Sequence, residues 1–449
     1  MISNILSRFY SIFIGYITII FITRNYSFSE YGEYVIFLAY ASILSVIGLL
    51  GVNKTIISET KFKLTNNNKL LINVLLINVL VSFLIVSIFS LIFSFDNYLK
   101  LLFLVIISVI IQIFNSLFLL NNKNKIYSLL TYLVEQSTFL FLLFTINYFL
   151  KDEFNLIDIA LFSNCILLFT SLYLVSYNKI LKFKFEFIDR NSLIDFYKES
   201  AAFLGSNIVE IMVLSIDKIL INTLLNSKSV GIYSTLDKIS RLTVSIFNAI
   251  SPLLMKKIAF HKQTLKAVSI YVHYSSLVIA ISLPISFSIY YFRAYVFSVF
   301  NDELISYELI LLGLLIARMI QYSSGFKAVM LQMSGMKNQD FYTKLLKLVL
   351  NVCLIYMFLS IFKLKLLGMV VALIISILIY SLVQVSIIKR HYKIKYFQNV
   401  FYFSFLLQVL IYMVASNIGY VSMIIFELLY YIMIYFYAKK NFYLNKDLK

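Results

Sequence analysis

Five ionisable residues, Asp217, Lys218, Asp237, Lys238 and Arg241, lie inside two consecutive apolar stretches that only a short turn at 226–229 separates. At the centre of a lipid-spanning helix an ionised side chain costs about 2.5–3.5 kcal/mol or more, so such groups pair with one another or line a hydrated path for a polar substrate. Counted from the ends of the two stretches at 1.5 Å per residue, Asp217 lies about 10 Å and Asp237 about 12 Å inside. Antiparallel helices would therefore bring these opposite charges to similar levels. Arg241 shares a face with Asp237 by i,i+4 spacing. Two chemistries fit: an ion-pair network that locks helices together, and a cationic lining that attracts an anionic substrate.

Other polar groups sit in the same kind of surroundings. Asn207, Glu210 and Asp217 fall close to one helical face. Glu210 is near mid-membrane with no opposite charge on its own helix within a turn, so it reads either as a desolvated carboxylate able to carry a proton or as a hydrogen-bonded one. With Glu135, Asp217 and Asp237 it makes up the candidates for coupling to an ion gradient. Arg318, three residues before Gln321, has a guanidinium that fits phosphate oxygens bidentately. Arg8 and Arg24 bracket the first apolar stretch, where snorkelling to the interface explains each taken singly. Lys344 and Lys347, at one end of another stretch, read as topology signals.

The elements that position these residues must be long apolar helices. The chain is 61% hydrophobic and 13% charged, with a mean hydropathy of +0.89; a soluble domain carries about 25% charged residues. Runs such as Leu75–Phe95 and Leu101–Leu120 lack the alternation of a β-barrel, and two Pro among 449 residues favour unbroken helices. The fold class is all-α, polytopic and membrane-embedded. About fourteen stretches are long enough to cross roughly 30 Å of hydrocarbon, from 5–23 to 398–416 and 420–438. The stretch 5–23 has no small-residue cleavage site and reads as a retained first helix.

Alternate loops differ sharply in charge, and most of the 39 Lys and Arg fall in one set. The positive-inside rule then places both termini in the cytoplasm. Because these charges occupy short loops and not one basic face, the net charge of +18 marks membrane topology and no nucleic-acid partner. The longest hydrophilic segment, 178–199, divides the chain into an N-terminal lobe (1–177), a linker (178–199), a C-terminal lobe (200–388) and two extra C-terminal helices with a tail (389–449). Gly32-Glu33-Tyr34 and Gly231-Ile232-Tyr233 follow equivalent turns 199 positions apart, each opening a helix that exits into a Lys-rich loop. An even number of spans lies between them, so the two six-helix lobes are parallel repeats.

Catalytic machinery is missing from the pattern. There is no P-loop and no H-E-x-x-H, and no Gly-x-Ser-x-Gly elbow. The three His are far apart, so neither a metal nor a cofactor is expected. Cys165 and Cys353 stand in separate apolar stretches and form no disulfide framework.

The segments Ile216-Asp217-Lys218-Ile219-Leu220-Ile221-Asn222, Val230-Gly231-Ile232-Tyr233-Ser234 and Lys238-Ile239, with Tyr31-Gly32-Glu33-Tyr34, resemble the polysaccharide transporter (O-antigen flippase) family of the multidrug/oligosaccharidyl-lipid/polysaccharide exporter superfamily. The resemblance implies two six-helix lobes around a V-shaped central cavity, plus two C-terminal helices. It implies alternating-access transfer of undecaprenyl-diphosphate-linked oligosaccharide repeat units for O-antigen, capsule or a related surface polymer across the bacterial cytoplasmic membrane. Arg8, Arg24 and Arg318 become candidates for the diphosphate, with Lys218, Lys238 and Arg241 nearby. A proton or sodium gradient is the drive such a carrier would use, and a polysaccharide polymerase and a chain-length regulator are the partners it would meet. Two other readings stand beside it. A cation-coupled multidrug exporter of the same superfamily would want more carboxylates than this charge balance gives. A membrane polymerase or ligase would want a long extracytoplasmic loop.

Overall fold

In a computed structural model the described residues are 2–58, 68–93, 97–121, 123–150, 154–178, 180, 190–261, 265–323, 325–392, 405–413, 423–425 and 427–430. All regular structure among them is helical. Among the described residues, eight helices are long and apolar enough to cross a membrane. They carry exposed Leu84, Leu91, Phe103, Phe141 and Phe169, an apolar surface that fits lipid and not water. The stretches expected at 398–416 and 420–438 are described only in part, as helix at 405–413, 423–425 and 427–430.

The chain divides into two compact units, 1–232 and 233–449. The first holds α1 (Ile2–Asn25), α2 (Phe28–Gly48), α3 (Val52–Ser58), α4 (Asn68–Phe93), α5 (Tyr98–Leu120) and α6 (Asn124–Ser128). A π-helical turn (Leu129–Val134) joins α6 to α7 (Glu135–Phe149), followed by α8 (Leu156–Tyr177) and α9 (Arg190–Leu224). Within this unit α9 packs along α2 and α3. There the Ser200 hydroxyl donates to Thr55 Oγ1 at 2.9 Å. The unit's core buries Val52, Ile56, Phe114, Phe118 and Phe196 together.

Helix starts follow from capping side chains. Ser27 Oγ accepts from the Glu30 N–H at 3.3 Å and the Glu30 carboxylate accepts from the Ser27 N–H at 2.8 Å, a reciprocal box that satisfies two donors of α2. Asn226, 199 positions later, accepts from the Ser229 N–H at 2.8 Å and starts α10 (Ser227–Ser240), which runs from the first unit into the second. The two openings meet. A Cβ on Gly32 would overlap the Ser227 carbonyl, and a Cβ on Gly231 would overlap the Phe28 carbonyl. The Ser29 and Ser227 hydroxyls share a 3.3 Å hydrogen bond across the same contact. The repeated Gly therefore lets two helix starts approach backbone to backbone.

In the second unit, α10 leads through Arg241 into α11 (Leu242–Phe260), then α12 (Leu265–Tyr291) and α13 (Arg293–Phe300). A 3₁₀ turn (Asp302–Tyr307) precedes α14 (Glu308–Ser323), α15 (Lys327–Met333), α16 (Lys337–Tyr356), a second π-helical turn (Met357–Ile361) and α17 (Lys365–Tyr392). The stretch expected at 229–252 is interrupted at Arg241, and the stretch expected at 305–326 ends in a turn after Ser323, beyond which α15 begins. In the turn between α14 and α15 Gly325 adopts φ +65°, a left-handed conformation open to glycine at no steric cost. Phe326 is fully buried and stacks on Phe247 with ring centroids 3.9 Å apart. The Ser275 hydroxyl accepts the Phe326 N–H at 3.2 Å. A turn between helices leaves backbone donors without intrahelical partners, and Ser275 takes up one of them here.

Candidate functional site

Asp237, one turn before the end of α10, is the centre of the buried charge cluster. Its Oδ2 takes Arg241 Nε at 2.6 Å, and its Oδ1 takes Arg318 Nη2 from α14 in a very close ion pair. Arg318 Nη1 donates to Gln321 Oε1 at 2.9 Å. Asp237 and Arg318 are almost wholly buried, while Arg241 keeps about a third of its side chain exposed, 32%. One carboxylate thus stands between two guanidiniums, and the cluster retains one positive charge. Arg318 Nε is buried and meets no acceptor among the described residues. A buried donor of a charged group left unmatched is costly, so this edge of the guanidinium is suited to a further anionic acceptor.

Of the remaining expected residues, Lys238 lies half-buried on α10 beside Asp237. The buried Asp217 side chain accepts from the Lys218 N–H at 2.9 Å, and Lys218 Nζ turns back to the Leu214 carbonyl at 3.1 Å. Arg8, on α1, lies 5.3 Å from the ring centre of Tyr132. Arg24 is exposed in the last turn of α1, where its charge complements the helix dipole. Glu135 opens α7 directly after the π-helical turn. Such turns often mark functional positions.

Glu210 requires a correction. It is exposed and pairs with Lys54 of α3 at 3.6 Å, so it is not a buried carboxylate, and its opposite charge comes from another helix. The physical reason is that α3 runs beside α9. This contact also lets Asn207 donate to Asn53 at 3.4 Å.

A second polar group of residues escaped the sequence reading. Along α16 and α17, Asp340 pairs with Lys344 at 2.9 Å and accepts from Gln332 at 2.8 Å and from Gln384 at 3.2 Å. Gln384 also donates to Thr343 Oγ1 at 3.0 Å, and Ser376 donates to Asn351 Oδ1 at 3.2 Å. Lys344 is therefore engaged in the helix interface and is more than a topology signal. The available hint was the spacing of Asp340, Thr343, Lys344, Lys347 and Asn351, which places them near one helical face.

A family model described as polysaccharide biosynthesis protein matches residues 1–253. Among curated proteins none matches the sequence. Several solved structures share the fold. The lipid II flippase MurJ in an inward closed conformation is 15% identical, with a TM-score of 0.72 and 99% of each chain covered. The inward-facing conformation of a multidrug resistance MATE family transporter of the MOP superfamily is 12% identical, with a TM-score of 0.66, covering 85% of this chain and 96% of the other. An outward-facing conformation of such a transporter gives 14% identity and a TM-score of 0.57, with 87% and 96% covered.

Proposed function

The chain belongs to the polysaccharide biosynthesis protein family, and from that premise we propose that it is a flippase for lipid-linked oligosaccharide precursors of a surface polysaccharide. The substrate class is an oligosaccharide on an undecaprenyl diphosphate, moved across the bacterial cytoplasmic membrane by alternating access, with both termini of the carrier cytoplasmic. The observation that supports this most is the Asp237–Arg241–Arg318 cluster: it is buried, carries net positive charge and leaves Arg318 Nε without an acceptor among the described residues. A diphosphate supplies the oxygens such an edge fits. A structure of the same fold is that of the lipid II flippase MurJ, in keeping with this reading. The lipid tail would remain in the bilayer, and a polymerase with its chain-length regulator would act on the delivered units.

A cation exporter is the second transporter reading, since the fold is also that of a multidrug resistance transporter. Asp237 argues against it, because both of its oxygens are taken by guanidiniums and offer little to a cationic drug. If an ion gradient drives transport, Glu135 is the carboxylate best placed for it, at the end of the π-helical turn and inside the fourth of the eight candidate spans.

Deleting the gene tests the proposal. Surface polymer should disappear while lipid-linked units accumulate on the cytoplasmic side. A copy carrying Arg318→Ala should fail to restore polymer at normal protein levels, and Arg318→Lys should restore it in part. Loss of one charge-assisted hydrogen bond is worth about 1.5–3 kcal/mol, or roughly 10–100-fold in head-group affinity. Normal polymer in the deletion strain, with no redundant carrier, would sink the proposal.

A further inference from the structure

Glu427 is a buried carboxylate with no part in the Asp237 cluster. It lies at 427–430, in the apolar stretch 420–438, and is 7% exposed, while Gln408 at 405–413 is fully buried. Gln408 Nε2 donates to Glu427 Oε2 at 3.2 Å, and the Ser288 hydroxyl of α12 bonds the same carboxyl group. These donors leave both head groups half used. Glu427 Oε1 and Gln408 Oε1 are buried and meet no donor among the described residues. Both oxygens belong to the head groups that the 3.2 Å bond joins, so two open acceptors lie at one locus. Leaving buried acceptors unmet is unfavourable. Among the described residues, no positive charge balances this carboxylate either, since its partners are a hydroxyl and an amide. The groups packed between α12 and the two segments include Phe287, Tyr291, Ile411, Met423 and Tyr430, and Tyr322 of α14 lies within electrostatic reach of Tyr430. Arg293, the cation that follows α12, is held by Glu308 at 2.9 Å. Yet buried charges in proteins are paired or coordinate metals.

We infer that Glu427, Gln408 and Ser288 form a site for one monovalent cation. A water molecule could donate to both open oxygens, but it would bring no charge. A divalent ion would bring one charge too many, which low-dielectric surroundings penalise. A single positive charge meets both needs, and two cations share that chemistry. Sodium is a hard ion, and hard ions take carboxylate and amide oxygens together. A proton would neutralise the carboxyl group and turn one of its acceptors into a donor. Either cation would bear on packing, because the three side chains come from α12 and the two C-terminal segments. The site involves neither Arg318 nor Glu135, and it does not rest on the proposed substrate.

The test uses the purified full chain in detergent at neutral pH, with choline chloride holding the ionic strength constant. Binding of radiolabelled sodium is measured by equilibrium dialysis, and infrared spectroscopy reads the carbonyl band of a protonated carboxyl group. The wild-type chain should show saturable sodium binding or such a band. Glu427→Gln keeps the shape of the side chain and removes its charge. It should weaken sodium binding tenfold or more, which assigns the site to sodium, or delete the band, which assigns it to a proton. Gln408→Leu takes away the second oxygen, and it should likewise weaken sodium binding tenfold or move the band. Should a variant fail to fold, the wild-type measurements still decide. Neither signal in the wild-type chain would overturn the inference, as would signals left undiminished in a folded Glu427→Gln protein. Both readouts are binding measurements on the isolated chain, whereas the deletion and Arg318 experiments decide the flippase proposal, so the two can fail independently.

Discussion

Asp237 fixes two guanidiniums while cancelling only one of their charges. Its removal should hurt twice: Arg318 would remain buried without a counter-charge, and Arg241 would lose the contact that holds its Nε. Breaking a buried pair from one side costs about 3–5 kcal/mol, so Asp237→Asn should lower the thermal midpoint of the purified protein in detergent clearly. Adding Arg318→Met should recover part of that loss, because contacting residues couple by about 0.5–3 kcal/mol. Strict additivity of the two substitutions would show that the pair is energetically unimportant. Half of this arrangement was legible in the sequence. The Asp237–Arg241 pair follows from i,i+4 spacing on a helix. Its other partner, Arg318, stands 81 positions away and depends on how α14 is rotated, which no local periodicity specifies. Lys218 shows the opposite failure, since it bonds its own helix at the Leu214 carbonyl. Lys347 shows a third: a lysine near a helix end looks like a topology signal until a ring on another helix, Tyr380, is seen to receive it.

At the scale of elements, the left-handed turn that closes α14 is a feature that apolar run length could not disclose. The apolar stretch 305–326 includes Ser323, Gly325 and Phe326, whereas the helix ends at Ser323, the backbone turns left-handed at Gly325 and Phe326 anchors against Phe247. Gly325→Ala should be unfavourable for two separable reasons. Backbone held in a region disfavoured for L-residues costs about 1–3 kcal/mol, and the new Cβ would overlap the Ser275 side chain. Ser275→Gly should relieve only the overlap, and it should carry a cost of its own by removing the acceptor of the Phe326 N–H. Thermal midpoints of the two single variants and the double variant measure these parts. A Gly325→Ala protein as stable as wild type would mean that the left-handed turn is not required. Capping was more accessible than this turn: Ser27 with Glu30 is a local signature of a helix start, and Asn226 performs the same task for α10.

At the scale of the molecule, composition alone was enough for the class, because 61% hydrophobic residues with 13% charged leave a water-soluble fold too little polar surface. The all-helical, multi-pass architecture and the transporter fold follow that expectation, and eight helices of spanning length are present among the described residues. The hydrophilic segment 178–199 marks a gap in hydropathy, which is not in itself a gap in packing. α9 begins within that segment, at Arg190, and packs with α2 and α3. The repeat, weak as a string of letters, is firmer as geometry. Gly32 faces the Ser227 carbonyl and Gly231 faces the Phe28 carbonyl, so each copy occupies the place on the other that the other occupies on it. That reciprocity is the mark of an isologous twofold interface, here carried within one polypeptide. Symmetry then dictates how damage should propagate. Gly32→Ala and Gly231→Ala should lower the thermal midpoint by similar amounts, and the double variant by less than their sum, since a single separation of the two helix starts makes room for both methyl groups. A residue change on one side of such a contact is, mechanically, a change on both.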